Sequence, residues 1–333
     1  MIEQIKAFLY ANWGDYFPHM PKPIKIRVFL TYGSYGSHCK ATFLLFADEN
    51  IHPFCVVKTP FFGEGAHFIR REHEVVTRLY TENSRNSGLV IPRCRFIENF
   101  NGFPLLLLDA FNGSPFRKAI RHNRSHESLK IGIDWIARMH LMTRVVGSFT
   151  KEDYEELVAV PLRISANRNG DNPSIADSFQ DLALRLETLI GKNIPWVCSH
   201  NDFRVSNLRI HEDALQVCDW EFASWPGLPM LDIMNFVVDY YTETSRASFA
   251  RSFSYVFEEE NQYSKEIHSH LKQYCECIGM EEALMPIWID LFLIHKLYLA
   301  QQILFPLQVY YGLEWAKNID KVILSRGSIR RSL

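Results

Sequence analysis

The sequence predicts an α+β chain in which a small β-rich lobe precedes a larger, mainly helical one. Three observations carry that expectation. The first 111 residues hold five short runs rich in β-branched and aromatic side chains, separated by turn signals. From about residue 113 the apolar residues recur at helical spacing. One short hairpin pattern, around residues 208–220, interrupts the helical half. The expected domains are 1–110 and 111–333.

The elements follow in order. IKIRVFL, KATFLLF and FCVVK read as strands, and the segment TYGSYGSH between the first two places Gly33, Ser34, Gly36 and Ser37 in a glycine-containing turn. Such a turn lets backbone N–H groups approach phosphate oxygens, although a plain hairpin turn has the same composition. After the third strand a loop, FFGEGAH, leads into the helix FIRREHEVVTRLYTE. PRCRFIEN and FPLLLLDAF are two further strands, separated by the turn dipeptide Asn101-Gly102. The first lobe is therefore a small antiparallel sheet with one helix. LKIGIDWIARMHLM and DSFQDLALRLETLIGK read as helices, with Gly191 as the stop of the second. LRI and LQVCDW flank a turn at HEDA, and the chain after Pro229 returns to helical periodicity.

Composition excludes several function classes. With 36 basic and 38 acidic residues the net charge is -2, so no overall field points to nucleic acid or to an anionic membrane. Seven cysteines are scattered, mostly within apolar runs, which suits buried thiols in a reducing, cytoplasmic setting. The N-terminal segment lacks a signal-peptide pattern, and no apolar run reaches the length of a membrane span. The longest apolar stretch, residues 284–299, contains Asp290, His295 and Lys296. Oligomeric state is not fixed by the sequence.

Several polar residues sit where a buried chain must satisfy them. Lys58 ends CVVK on the same strand face as Val56. Phe68, Glu72, Val75 and Leu79 form one helical stripe, which turns Glu72 inward and leaves Glu74 in solvent. Lys58 and Glu72 are thus either an inward ion pair or two unrelated charges. Residues 198–221 read CSHNDFRVSNLRIHEDALQVCDWE. There Asp202 and Asn207 lie in a loop, and Leu215, Val217, Asp219 and Glu221 share a face if the strand runs through them. A carboxylate to accept a hydroxyl proton, with an amide and a second carboxylate as hard oxygen ligands, is a minimal set for magnesium-assisted phosphoryl transfer. His268, His270, Cys275 and Cys277 are zinc-ligand types, but on a helix the first and third fall opposite the other two, so they do not converge.

The order glycine-rich loop, strand Lys, helix Glu, H-x-D-x-x-x-x-N loop and D-x-E closely resembles the aminoglycoside phosphotransferase and choline kinase branch of the protein-kinase-like fold, from about residue 26 to 240. The resemblance implies a bilobal fold, with a catalytic loop at 198–210 and a metal motif at 219–221. It implies ATP and Mg2+ as cofactors and a small-molecule hydroxyl acceptor. Asp202 becomes the catalytic base, Asn207 and Asp219 the magnesium ligands with Glu221 beside them, and Lys58 the phosphate contact held by Glu72. Gly33, Ser34, Gly36 and Ser37 become the loop over the phosphates. Leu108, Asp109, Ala110 and Phe111 become the hinge whose backbone meets the adenine. Arg204 either steadies the γ-phosphate or forms a local salt bridge, His200 holds the loop in shape, and Asp232 braces it. The stretch between Asp219 and Asp232 is too short for the activation segment of a protein kinase. Aromatic residues in the second lobe, such as Tyr240, Tyr241 and Tyr255, suit a cationic acceptor or simply the core. The alternative is an inactive nucleotide-binding pseudokinase or scaffold of the same fold.

Overall fold

Ile5, Leu9, Trp13 and Phe17 recur at steps of four, which gives the N-terminal segment an apolar helical stripe. The chain uses that stripe. In the computed structural model, which describes residues 1–32, 40–83, 88–121, 125–169, 173–304, 319, 322, 323 and 326, α1 (Ile2–Ala11) and α2 (Trp13–Tyr16) bury these residues in one core. The first lobe therefore has more than the single helix expected. β1 (Ile26–Tyr32), β2 (Lys40–Ala47) and β3 (Cys55–Pro60) follow, then α3 (Ala66–Asn83), β4 (Cys94–Phe100) and β5 (Phe103–Asp109). After β6 (Ser114–Pro115), α4 (Phe116–Arg121) and α5 (Ser125–Thr143) lead to β7 (Val145–Ser148). Next come α6 (Lys151–Tyr154), a wide turn at Glu155–Ala159, α7 (Val160–Asn169), α8 (Pro173–Glu187) and β8 (Asn193–Ser199). The rest is β9 (Leu208–His211), β10 (Ala214–Val217), β11 (Ser224–Gly227), α9 (Leu231–Ser245), α10 (Phe249–Phe257), α11 (Gln262–Ile278) and α12 (Met285–Leu304).

The chain forms two compact units, Met1–Ser114 with Arg209–Phe222, and Pro115–Leu208 with Ala223–Leu333. A single boundary at residue 110 differs from this packing, because the segment after β9 begins returns to the first unit and carries Asp219 and Glu221 with it.

The first unit is built on an antiparallel sheet in the order β1-β2-β3-β5-β4. Its register places Thr42 opposite Lys58, so Lys40, Thr42 and Lys58 share one face of the sheet. Phe43, Leu45, Val57, Leu105 and Leu107 join the stripe of α1 and α2 in one apolar cluster. The expected stripe of α3 is present, with Phe68, Glu72, Val75 and Leu79 buried and Glu74 exposed. The β9–β10 turn holds Glu212 and Asp213 at positive φ, 47° and 65°, the backbone of a type I′ hairpin.

In the second unit β7, β8 and β11 make a three-stranded sheet in the order β11-β8-β7. α8 ends at Glu187, a turn before its expected stop, and Gly191 at φ 82° follows. Gly132 of α5 lies under the ring of Phe236, and a Cβ placed there would stand 2.2 Å from that ring. Phe236 is fully buried and packs against Phe203 and Phe116, so the ring has little room to retreat. Gly132→Ala is expected to destabilise the fold by about 1–3 kcal/mol, as overpacking does, seen as a lower urea midpoint with an unchanged m-value.

Buried α12 carries a second expectation. His295 is buried, and burial, reinforced by the Lys296 charge, lowers its pKa to about 3 from the ordinary 6.5. A histidine with a depressed folded pKa contributes stability above 6.5 that is lost as the pH falls towards 3. Stability should therefore drop by up to ~1.4 kcal/mol per pH unit in that window. His295→Gln should flatten that part of a denaturation-versus-pH profile; an unchanged slope would refute the assignment. Among the described residues, no helix is long and apolar enough to cross a membrane.

Candidate active site

In the first unit, charged side chains from β2, β3, α3 and the segment after β10 meet in a buried cluster. Lys58 Nζ lies 2.5 Å from Glu72 Oε1 and 2.8 Å from Asp219 Oδ1. Glu72 Oε1 also accepts from the backbone N–H of Trp220 at 3.3 Å, which ties the helix carboxylate to the chain beside Asp219. Lys40 Nζ sits on the same Asp219 Oδ1 and 2.7 Å from Glu221 Oε2. Lys58 and Glu72 are thus an inward ion pair, not two unrelated charges.

Asp219 differs from its expected setting. β10 ends at Val217, so strand alternation does not carry through to Asp219 and Glu221. Asp219 has φ 71°, a left-handed conformation that costs a non-glycine residue about 1–3 kcal/mol. That backbone turn, not a strand face, delivers its carboxylate to the two lysines. Burial raises the pKa of Asp219, but Lys40 and Lys58 outweigh it and hold the carboxyl well below the ordinary value. Glu221 shifts the other way: burial, with the Asp219 charge added, raises it to about 7 although Lys40 opposes the rise. Lys58 is pushed above its ordinary range, since Asp219 and Glu72 overcome its burial.

In the second unit the loop after β8 is pinned from several sides. Asp232, fully buried at the start of α9, accepts from the backbone N–H of His200 at 2.7 Å and of Asn201 at 2.8 Å. Its Oδ2 also meets His140 Nε2 at 3.2 Å, and His140 Nδ1 lies 2.6 Å from the hydroxyl of Tyr274. His200 Nδ1 accepts from the N–H of Asp202 at 3.3 Å, a bond within the loop. Asn235 Nδ2 donates to the Phe203 carbonyl, and Asp239 accepts from the Val205 N–H at 2.8 Å. The Phe203 ring, packed on Trp135 and Phe236, anchors the middle of the loop in the core.

The pinning fixes Asp202 and Asn207. Asn207 Nδ2 donates to the carboxylate of Asp202 at 2.8 Å and to its carbonyl at 2.9 Å. The Asn207 carboxamide oxygen therefore faces away from Asp202, with Ser206 Oγ at 3.4 Å. Arg204 Nε lies 3.2 Å from Asp202 Oδ2 on a half-exposed side chain. Asp202, Arg204 and Asn207 thus form one group in the second unit, while Lys58, Glu72, Asp219 and Glu221 form one group in the first.

At the expected hinge, Leu108 and Asp109 end β5. The Asp109 N–H donates to the Arg93 carbonyl, its carboxylate pairs with Arg95, and the Ala110 N–H donates to Phe54. The N–H groups of Asp109 and Ala110 are therefore already used within the first unit. Gly33, Ser34, Gly36 and Ser37 lie outside the described residues.

Sequence reasoning missed Lys40, His140 and Asp239. The signal for Lys40 was the strand register, since it lies two residues from Thr42, the partner of Lys58. The signal for His140 was a histidine amid apolar residues in IARMHLM.

The donor set suits a hard divalent ion. Asp219 Oδ1 and Glu221 Oε2 converge on one cationic position, that of Lys40 Nζ, and carboxylate and carboxamide oxygens are the ligands magnesium takes.

A model of the phosphotransferase enzyme family matches residues 46–263. The chain belongs to this family. Among solved structures, this phosphotransferase is similar to an amicoumacin kinase in complex with AMP-PNP and Ca2+, at 13% identity over 98% of this chain and 96% of that one, with a TM-score of 0.57. It is similar to a thermostable mutant of an aminoglycoside phosphotransferase at 14% identity, over 96% and 99% of the two chains, with a TM-score of 0.56. A protein from Thermobifida fusca described as a fructosamine-3-kinase aligns at 15% identity over 91% and 93%, with a TM-score of 0.55. No curated protein matches the sequence. The fold is the kinase-like one, with an antiparallel sheet first and mainly helical chain after it.

Proposed function

We propose that the protein is an ATP-dependent small-molecule kinase that transfers the γ-phosphoryl group to a hydroxyl of its acceptor. The observation that carries this reading is the Glu72–Lys58–Asp219 chain, in which a buried helix carboxylate holds a strand lysine against a second carboxylate. Kinases of this family use ATP with a divalent metal, and phosphate binding calls for such a lysine beside such a carboxylate.

The roles divide between the units. Lys58, oriented by Glu72, contacts the nucleotide phosphates. Asp219 and Glu221 in the first unit, and the carboxamide oxygen of Asn207 in the second, are the groups that would hold Mg2+, which when bound would neutralise charge on the phosphates. Asp202 orients the acceptor hydroxyl and takes its proton as the new O–P bond forms. The bond from phosphorus to the β,γ-bridging oxygen breaks, and its electron pair leaves with ADP. Arg204 keeps the Asp202 carboxylate in place and can meet the γ-phosphate. Positioning and electrostatics supply the catalysis, since phosphoryl transfer needs little covalent help.

The acceptor is a hydroxylated small molecule. The similar structures are kinases named for amicoumacin, an aminoglycoside and fructosamine. A screen of such compounds with choline, ethanolamine and sugars, reading ADP release and a phosphorylated product, tests the proposal. Acceptor-dependent ADP release by the wild type that disappears in Asp202→Ala supports it. Nucleotide binding with no turnover on any acceptor would favour an inactive scaffold.

A further inference from the structure

Lys58 meets the need for a phosphate lysine, yet the cluster holds a second buried ammonium that this role does not require. Lys40 opens β2, its side chain 9% exposed, and its Nζ bridges Asp219 Oδ1 and Glu221 Oε2. Lys58 donates to the same Asp219 oxygen, so one carboxylate oxygen receives two cations. Buried ion pairs of this kind roughly break even for stability, so stability alone does not account for the pair. Two of the oxygens that suit a divalent ion are already held by Lys40.

A metal ion arriving on Asp219 and Glu221 would add two positive charges beside two ammoniums. One of them must leave. Lys58 is held from behind by Glu72, whereas among the described residues Lys40 pairs with the two carboxylates that the metal would take. Lys40 also has a flexible four-carbon stem and a compact charge able to follow a moving anion. It directly follows residues 33–39, the glycine-containing segment.

We propose that Lys40 is a second nucleotide-phosphate lysine, which holds Asp219 and Glu221 in place of the metal and passes to the phosphates when the metal and nucleotide bind. This rests on the reading of the protein as an ATP-dependent kinase. It predicts two effects of opposite sign. Without Lys40 the carboxylates lose a competing cation and bind metal more tightly, while the nucleotide loses a partner and binds less tightly.

The test uses the full chain and its Lys40→Met variant. Mg2+ binding to nucleotide-free protein is followed by thermal shift, and ADP and ATP binding by calorimetry with EDTA and with Mg2+. For Lys40→Met the half-saturating Mg2+ concentration without nucleotide should fall about tenfold, while Kd for nucleotide at saturating Mg2+ rises about tenfold and in EDTA changes little, each on the scale of one partly buried charge pair. Unchanged affinities, or both weakened together as a packing defect would give, overturn the proposal. Lys40→Gln keeps a donor for the two carboxylates and should show the same two signs, so it carries the test if the methionine variant does not fold. Wild-type protein that binds no ADP or ATP would overturn the kinase reading itself. Wild-type binding with no response to the Lys40 variants would overturn only this inference.

Discussion

Asp202→Ala is expected to lower the turnover number for phosphoryl transfer by about 10²–10⁴-fold, the usual worth of a positioned acid or base, while leaving Kd for ATP unchanged. The expectation follows from what holds the carboxylate. Asn207 and Arg204 both bond to Oδ2, and the backbone of Asp202 is fixed through His200. Two donors on one oxygen leave Oδ1 as the natural acceptor for a hydroxyl proton. Alanine removes the acceptor and also frees Asn207 Nδ2 from one of its two partners. Asp202→Asn separates these effects, because a carboxamide oxygen can still accept from Asn207 but is too weak a base to take a proton. Its turnover should fall nearly as far as that of the alanine variant, with denaturation midpoint closer to wild type. Steady-state kinetics beside ATP-binding calorimetry checks both. Turnover by Asp202→Ala at the wild-type rate would sink the assignment.

The parts of the site that sequence made legible are those set by a local period. Glu72 announced itself because three apolar residues share its helical stripe, and Lys58 because it follows an apolar strand run, although β3 continues two residues past it to Pro60. Asp202 and Asn207 lie within one loop, so their five-residue spacing already brings them together. The same logic failed at Asp219. Its position depends on a left-handed backbone two residues beyond the strand end, and no alternation pattern encodes that. Lys40 stayed hidden for another reason. A lysine at the first position of a strand usually reads as a solvated end, and only the pairing of Thr42 with Lys58 places it on the inner face. α1 and α2 could have been read from their four-residue stripe, a pattern masked by the polar residues between.

The electrostatics of the first unit follow from these placements. Glu72, Asp219 and Glu221 bring three carboxylates to two ammoniums, and the two carboxylates nearest Lys40 shift in opposite directions. Asp219 takes both lysines and stays ionised. Glu221 shares one lysine and lies beside that charge, so it is the group that responds to what enters. A divalent ion would remove the repulsion between them, which is why the same residues suit both a lysine bridge and a metal.

Asp232→Ala is expected to be the most destabilising single change in the site, by about 3–5 kcal/mol, because it breaks a buried charge-assisted network from one side. The carboxylate is the shared acceptor for the His200 and Asn201 N–H groups and for His140. Without it these donors stay buried with one acceptor fewer, and each such loss costs about 1–3 kcal/mol. Burial alone would raise the Asp232 pKa, yet the bonds and charges of His140 and His200 outweigh it and hold the pKa below 3.8. A carboxyl with a depressed folded pKa contributes stability that is present above 3.8 and lost as the pH falls through the folded value. Acid unfolding of the wild type below about pH 4 should thus be steeper than that of Asp232→Asn, which carries no charge to protonate. The asparagine variant keeps one carbonyl acceptor but turns an NH2 group towards a donor, so the loop it holds should loosen. Turnover should then fall together with the urea midpoint, unlike Asp202→Asn, in which turnover falls alone. A stable, fully active Asp232→Ala protein would show that the loop is held by other bonds, such as those that Asp239 and Asn235 make to its backbone from α9.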